Sequence, residues 1–200
     1  KDSTSKVLTV NALPVMSFAP LSPVCADAVD FELTGGLPSG GNYLGNGVSA
    51  GYFQPSVVGA GTYTITYKFT DTNSCTDSTT QNILVNPLPN VNAGNDVTIC
   101  NTQSVTLTAT GADSYTWDNS VIQGEAFEPS TTSTYTVVGT ITATGCQKTD
   151  AVIVTVNSLP NVSAGDDNAI CSGDNLTLTA TGSADTYTWD NGVEQGVSFT

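Results

Sequence analysis

The sequence contains no histidine and no arginine, and four lysines are its only basic side chains against 18 acidic residues. Without an imidazole, neither a serine–histidine–aspartate nor a cysteine–histidine catalytic group can be assembled from this chain. The net charge of −14 disfavours nucleic-acid binding, which relies on lysine and arginine to neutralise phosphates. We therefore expect neither an enzyme nor a nucleic-acid-binding protein.

Charged residues and long apolar runs are also scarce. Charged side chains make up 11% of the sequence, so threonine, serine, asparagine and glycine must cover most of the surface. That composition is typical of exposed β-structure. No run approaches the roughly 18 apolar residues that a membrane-spanning helix needs, and we expect no membrane span.

The apolar residues that are present alternate with threonines. Residues 105–110 read VTLTAT, residues 176–181 read LTLTAT, and residues 63–67 read YTITY. A period of two residues predicts half-buried β-strands, and turn-forming pairs such as Gly40-Gly41 and Asn46-Gly47 separate them. We predict an all-β fold of antiparallel β-sandwich domains of the immunoglobulin or PKD type.

A repeat organises the chain. The dipeptide Leu-Pro begins at positions 13, 88 and 159, and each of these leucines is followed, at one constant spacing, by a cysteine at position 25, 100 or 171. In the two complete repeats a second cysteine, Cys75 or Cys146, precedes the next such leucine, again at one constant spacing. A period of this length indicates an array of small domains. The predicted boundaries are 1–12 for the last strand of a preceding domain, 13–87 and 88–158 for two immunoglobulin-like domains, and 159–200 for a partial one.

Short proline-containing linkers separate these repeats, at residues 86–90 (NPLPN) and 157–161 (NSLPN). Proline restricts its own backbone and that of the residue before it, so the joints should be extended and semi-rigid. We expect an extended array, and we interpret the sequence as a segment of a longer protein.

The five cysteines recur at constant positions in the repeat and could serve in metal ligation, in nucleophilic catalysis or in disulfides. The sequence has no histidine to support either of the first two functions, and it has no Cys-x-x-Cys pair that would suit zinc. We predict disulfides Cys25–Cys75 and Cys100–Cys146, with the partner of Cys171 beyond residue 200. Each would close a loop of about 50 residues and stabilise its domain by roughly 4 kcal/mol. Disulfides predict an extracellular or periplasmic location.

Two further groups of residues are candidate sites. Trp117 and Trp189 are predicted to be core aromatics between the sheets, with a sugar-stacking platform as the alternative. Asp96, Asp166 and Asp167 lie at matching places after the Leu-Pro dipeptides. Carboxylates grouped near a domain junction suit calcium, which is the one cofactor we consider. The alternative is that these aspartates are solvated residues of turns.

Several motifs of the second repeat resemble a known class of protein. They are Leu107-Thr108-Ala109-Thr110-Gly111, Tyr115-Thr116-Trp117-Asp118-Asn119, Phe127-Glu128-Pro129 and Gly145-Cys146. The chain is similar to the tandem immunoglobulin-like or PKD-like repeats of large, type IX-secreted cell-surface adhesins of gliding bacteria. This resemblance implies an extracellular β-sandwich array on a cell surface.

Together these observations predict a structural and adhesive repeat segment of a large extracellular protein or fibre, with gliding among its candidate roles. The whole protein would bind cell-surface or polysaccharide ligands through regions outside this segment, and the segment could self-associate into fibres. One alternative is a carbohydrate-binding or spacer module of a secreted polysaccharide-degrading enzyme. A second is a filament subunit assembled by donor-strand exchange.

Overall fold

The computed structural model describes residues 6–200, and nearly every regular element in it is a β-strand. The strands of the first repeat are β1 (Ser17–Phe18), β2 (Val24–Cys25), β3 (Phe31–Glu32), β4 (Gly36–Leu37), β5 (Asn42–Leu44), β6 (Val48–Ser49), β7 (Tyr52–Phe53), β8 (Gly61–Thr70) and β9 (Thr76–Asn86). A single turn of helix, α1 (Pro55–Val58), lies between β7 and β8. The predicted all-β fold is confirmed.

The rest of the described chain continues in the same way. Its strands are β10 (Val97–Cys100), β11 (Val105–Thr106), β12 (Ser114–Trp117), β13 (Ala126–Phe127), β14 (Ser133–Thr140), β15 (Gln147–Asn157), β16 (Val162–Ser163), β17 (Leu176–Thr177), β18 (Thr181–Gly182) and β19 (Ser198–Phe199). No helix in the described chain is long and apolar enough to cross a membrane.

The described chain forms two compact units. The first extends to Gly94 and also includes Leu107–Gly124 and Thr136–Ala151. The second consists of Asn95–Thr106, Glu125–Tyr135 and Val152–Thr200. The domain boundaries proposed from the repeats remain a prediction.

The N-terminal segment was predicted to be the last strand of a preceding domain. Residues 1–5 of that prediction lie outside the described residues, and residues 6–12 are not assigned to a strand. Val7, Leu8 and Val10 are 85 to 89% exposed. Their apolar side chains therefore have little cover from the described chain.

A four-stranded sheet dominates the first repeat, in the order β2, β9, β8, β5. The long strands β8 and β9 pair antiparallel from Gly61 opposite Val85 to Thr70 opposite Thr76. Alternate residues of this pair point inward, so Ile65, Tyr67 and Ile83 are almost fully buried. Strand β2 differs from the antiparallel prediction because it pairs parallel to the end of β9.

Tyr67 holds the glycine-rich segment that follows β3, residues 35–48. Its hydroxyl donates to the carbonyl of Pro38 at 2.5 Å and accepts from the Gly41 N–H at 2.8 Å. A Cβ added to Gly36 would lie 2.6 Å from the Tyr67 ring, and one at Gly41 would meet the same side chain at 2.5 Å. Glycine is required at these positions because the backbone passes directly against the ring.

The second repeat builds a sheet in the order β10, β15, β14, β12. Strand β12 pairs antiparallel with β14, placing Trp117 opposite Val137. Strand β10 pairs parallel with the end of β15, and Cys100 lies opposite Asn157. This parallel pairing reproduces that of β2 with β9.

The third repeat contains two small antiparallel sheets, β16 with β18 and β17 with β19. Leu176 lies opposite Phe199, and Val162 lies opposite Gly182. Ala180 is its most buried apolar residue, at 8% exposure.

Candidate functional site

A disulfide joins Cys25 to Cys146, two residues 121 positions apart in the sequence. Cys25 ends β2, where it lies opposite Asn86 at the end of β9. Cys146 lies in the turn between β14 and β15 and is 1% exposed. The bond therefore links the β2–β9 edge of the first repeat to the β14–β15 hairpin of the second.

The predicted pairing of Cys25 with Cys75 is wrong because the two residues lie at opposite ends of β9. Cys25 is beside the last residue of this strand, whereas Cys75 immediately precedes its first residue, Thr76. Eleven residues of extended strand place the two ends roughly 35 Å apart. A disulfide requires Cα atoms within about 7 Å.

The predicted bond between Cys100 and Cys146 is wrong for the same reason. Cys100 lies opposite Asn157 at the end of β15, and Cys146 precedes the first residue of that strand. Cys146 is moreover already bonded to Cys25, at a Cα–Cα distance of 5.6 Å. In the described chain Cys75, Cys100 and Cys171 are free thiols, of which Cys100 and Cys171 are exposed.

Trp117 lies in the interior at 6% exposure. Its indole N–H donates to the side-chain oxygen of Gln123 at 2.7 Å. The same amide bonds both backbone groups of Ala109: its oxygen accepts from the N–H at 3.1 Å and its nitrogen donates to the carbonyl at 2.8 Å. Gln123 therefore satisfies the polar atoms that burial of Trp117 and Ala109 would otherwise leave without partners.

The third repeat contains the same arrangement. Trp189 donates to the oxygen of Gln195 at 2.8 Å, and Gln195 bonds the backbone of Ala180 at 3.0 and 2.8 Å. Trp189 is half-buried. Sequence reasoning missed both glutamines, although each lies six residues after its tryptophan and immediately before a glycine.

The three candidate calcium ligands lie in two different repeats, Asp96 in the second and Asp166 and Asp167 in the third. Asp96 uses one carboxylate oxygen to accept from the Ile153 N–H at 2.8 Å, whereas Asp166 and Asp167 are exposed. In the described part of the chain, no three histidine, cysteine, aspartate or glutamate side chains are grouped so that they could hold a metal ion. Calcium binding by these residues stays a prediction, and we derive no role for it.

Asp150 fixes a neighbouring segment instead. Its carboxylate accepts from the Ala93 N–H at 2.8 Å. The hydrogen bonds from the backbone of Ala93 and then of Ala151 lower the pKa of Asp150 from its usual value of 3.8, and Lys148 lowers it further. The charged form is therefore the one that the folded chain stabilises.

A polar groove of about 790 Å³ lies beside the glycine-rich segment of the first repeat. Glu32 and Lys68 supply opposite charges to its wall, and Asn42 supplies an amide. Tyr43 also lines it and is half-buried. Such a mixture of hydrogen-bonding groups and one aromatic ring suits a polar, uncharged ligand.

Comparison with known proteins gives only distant matches. No family model matches the chain, and no curated protein matches it. Among solved structures, the Bacteroides ovatus mixed-linkage glucan utilization locus protein SGBP-B, in complex with a mixed-linkage heptasaccharide, is 15% identical with a TM-score of 0.27. That match covers 72% of this chain and 46% of the other, so the chain spans less than half of that relative.

Two further solved structures are similar at the same level. The titin I-band fragment I67–I69 is 14% identical with a TM-score of 0.32, and the match covers 88% of this chain and 77% of that one. The insect immune protein hemolin is 15% identical with a TM-score of 0.33, covering 73% of this chain and 46% of the other. The strands and sheets described above, and not these matches, define the fold.

Proposed function

We propose that this chain is a structural and adhesive repeat segment of a large extracellular cell-surface protein, of the kind exported by type IX secretion in gliding bacteria. The observation that carries the proposal is the Cys25–Cys146 disulfide, which links successive repeats across 121 residues. A bond of this kind resists separation of the repeats and persists in oxidising surroundings. The segment would hold a binding region away from the cell and transmit tension to it.

Chain entropy supports a stabilising part for this bond. Closing a loop of this length removes enough freedom from the unfolded chain to stabilise the folded one by about 5 kcal/mol. This stabilisation exceeds that from a disulfide closing a loop of about 50 residues by only about 1 kcal/mol, because the entropy lost on closing a loop grows only with the logarithm of its length. The main gain from joining distant residues is therefore mechanical continuity between repeats.

Surface labelling tests the proposal. Fab fragments raised against this chain should label intact, unpermeabilised cells of the source organism and reduce their attachment to a polysaccharide-coated surface. Cells lacking type IX secretion should lose the label. A Fab against a cytoplasmic protein is the control, and labelling that requires permeabilisation would refute a surface location.

A carbohydrate-binding module is the second candidate, and the groove beside the glycine-rich segment favours it. The side chains of Glu32, Asn42 and Lys68 could bond sugar hydroxyls there. Trp117 supports this candidate less, because a buried indole cannot stack on a sugar.

Affinity electrophoresis in gels containing soluble polysaccharides tests this second candidate. The carbohydrate-binding hypothesis requires retardation of the chain that is lost in Asn42→Ala. The exposed Asn101→Ala variant is the matched control and should remain retarded. Equal mobility of all three proteins in every polysaccharide would exclude binding at the groove.

A further inference from the structure

Two of the cysteines occupy the same backbone position in successive repeats, which we call the strand-end position. Cys25 lies opposite Asn86 in a parallel pair, and the next residue, Ala26, donates its N–H to the Asn86 carbonyl at 3.0 Å. Cys100 lies opposite Asn157 in the same way, and its next residue donates to the Asn157 carbonyl at 2.8 Å. Cys100 is thus the counterpart of Cys25.

Two other cysteines share a second position, which we call the turn position. Cys146 closes the turn before β15, where its carbonyl accepts from the Ile141 N–H at 2.9 Å. Cys75 closes the turn before β9, where its carbonyl accepts from the Asp71 N–H at 3.0 Å. The observed disulfide therefore joins the strand-end cysteine of one repeat to the turn cysteine of the next.

The surroundings of Cys75 repeat those of the bonded pair. Asn11, Asn86 and Asn157 each precede a Leu-Pro leucine by two residues. The Cys75 sulfur lies 4.0 Å from the Asn11 carbonyl oxygen. The partner of Cys146 is Cys25, which lies opposite Asn86. Asn11 is the counterpart of Asn86 in the sequence, so Cys75 is next to the place where a strand-end cysteine would be held.

We propose that Cys75 and Cys100 each form an inter-repeat disulfide of the same kind, with a cysteine of the complementary position in a further repeat of this class. Cys75 takes a strand-end partner held beside Asn11, and Cys100 takes a turn partner. Each bond forms from two thiols, which lose two protons and two electrons. These two protons and two electrons reduce the disulfide of an oxidoreductase to two thiols. The inference concerns how repeats are linked and does not depend on what the segment binds.

Disulfide mapping on the full-length protein from its native source tests this inference. Free thiols are alkylated at acidic pH before unfolding, and the protein is digested at acidic residues because the chain has only four lysines. Cys75 should be absent from the alkylated fraction and linked to a cysteine that follows a Leu-Pro leucine at the spacing of Cys25 from Leu13. Cys100 should be linked to a cysteine that precedes such a leucine at the spacing of Cys146 from Leu159. The Cys25–Cys146 link is the internal control.

Reducing the disulfides then shows whether the partner cysteine belongs to the same polypeptide or to another copy of it. If the mass of the protein does not change on reduction, the partner is in the same polypeptide; if the mass becomes smaller, the partner is in another copy. Either result supports the proposal. Alkylated Cys75 or Cys100, bonds between two cysteines of the same position, or a Cys75–Cys100 bond within one chain would overturn it. Absence of the Cys25–Cys146 control would overturn it as well, whereas a failed surface-labelling test would leave it standing.

Discussion

When the chain is stretched between its ends, the Cys25–Cys146 disulfide should keep the residues between those cysteines from extending. The separation of 121 residues, at about 3.5 Å per extended residue, corresponds to roughly 420 Å of hidden length. Single-molecule force spectroscopy on the chain, held at constant force between two handles, measures this length directly. Added reductant should release it in one step once the bond becomes accessible.

Two variants make this measurement decisive. The double variant Cys25→Ser, Cys146→Ser should show the full extension without reductant. Cys75→Ser keeps the disulfide and should behave as the wild type. If the chain instead contained the local bonds Cys25–Cys75 and Cys100–Cys146, reduction would release two steps of roughly 170 Å each, since each loop has about 50 residues. That result would refute the assignment.

Two further predictions concern side chains that support the fold. Gln123→Leu should lower the free energy of unfolding by roughly 2–4 kcal/mol, because three hydrogen bonds to buried groups are lost; chemical denaturation measures it. Gln147→Leu, on an exposed side chain, is the matched control, and equal losses in both would contradict the role assigned to Gln123. Asp150→Asn should destabilise the chain at neutral pH but not at low pH, because the folded-state pKa of Asp150 is lowered. Its stabilisation is complete above the unfolded-state pKa of 3.8 and is lost as the pH falls through the folded-state pKa. Thermal unfolding from pH 7 to pH 2 measures the difference, with the exposed Asp27→Asn as control; a difference that does not change with pH would count against the prediction.

The strands could be predicted because their signal is local. Alternation of apolar residues with threonine marks one buried face, and the buried set Ile65, Tyr67 and Ile83 follows that alternation. The partner of each strand is a different matter. The parallel pairing of β2 with β9 depends on contacts between residues about 60 positions apart, on which periodicity carries no information.

The prediction of the disulfide pairing was wrong because it too depended on contacts between residues distant in the sequence. The constant phase of the cysteines correctly indicated a repeated structural role, but pairing them within each repeat assumed that both lie at the same end of the domain. Strand β9 separates Cys25 from Cys75 along its whole length. Gln123 gave a weaker signal, since a glutamine in a turn has no periodicity; only comparison with Gln195 in the next repeat could have singled it out.

The position of the disulfide also changes the role of the linker at residues 86–90. Its two prolines were expected to set the stiffness of the joint, but the whole linker lies inside the loop that Cys25 and Cys146 close. Tension applied outside the loop passes through the sulfur–sulfur bond and not through the prolines. The linker then needs only to have the right length and direction for the two cysteines to meet. Proline suits that task because it narrows the conformations that the chain must search before the bond can form.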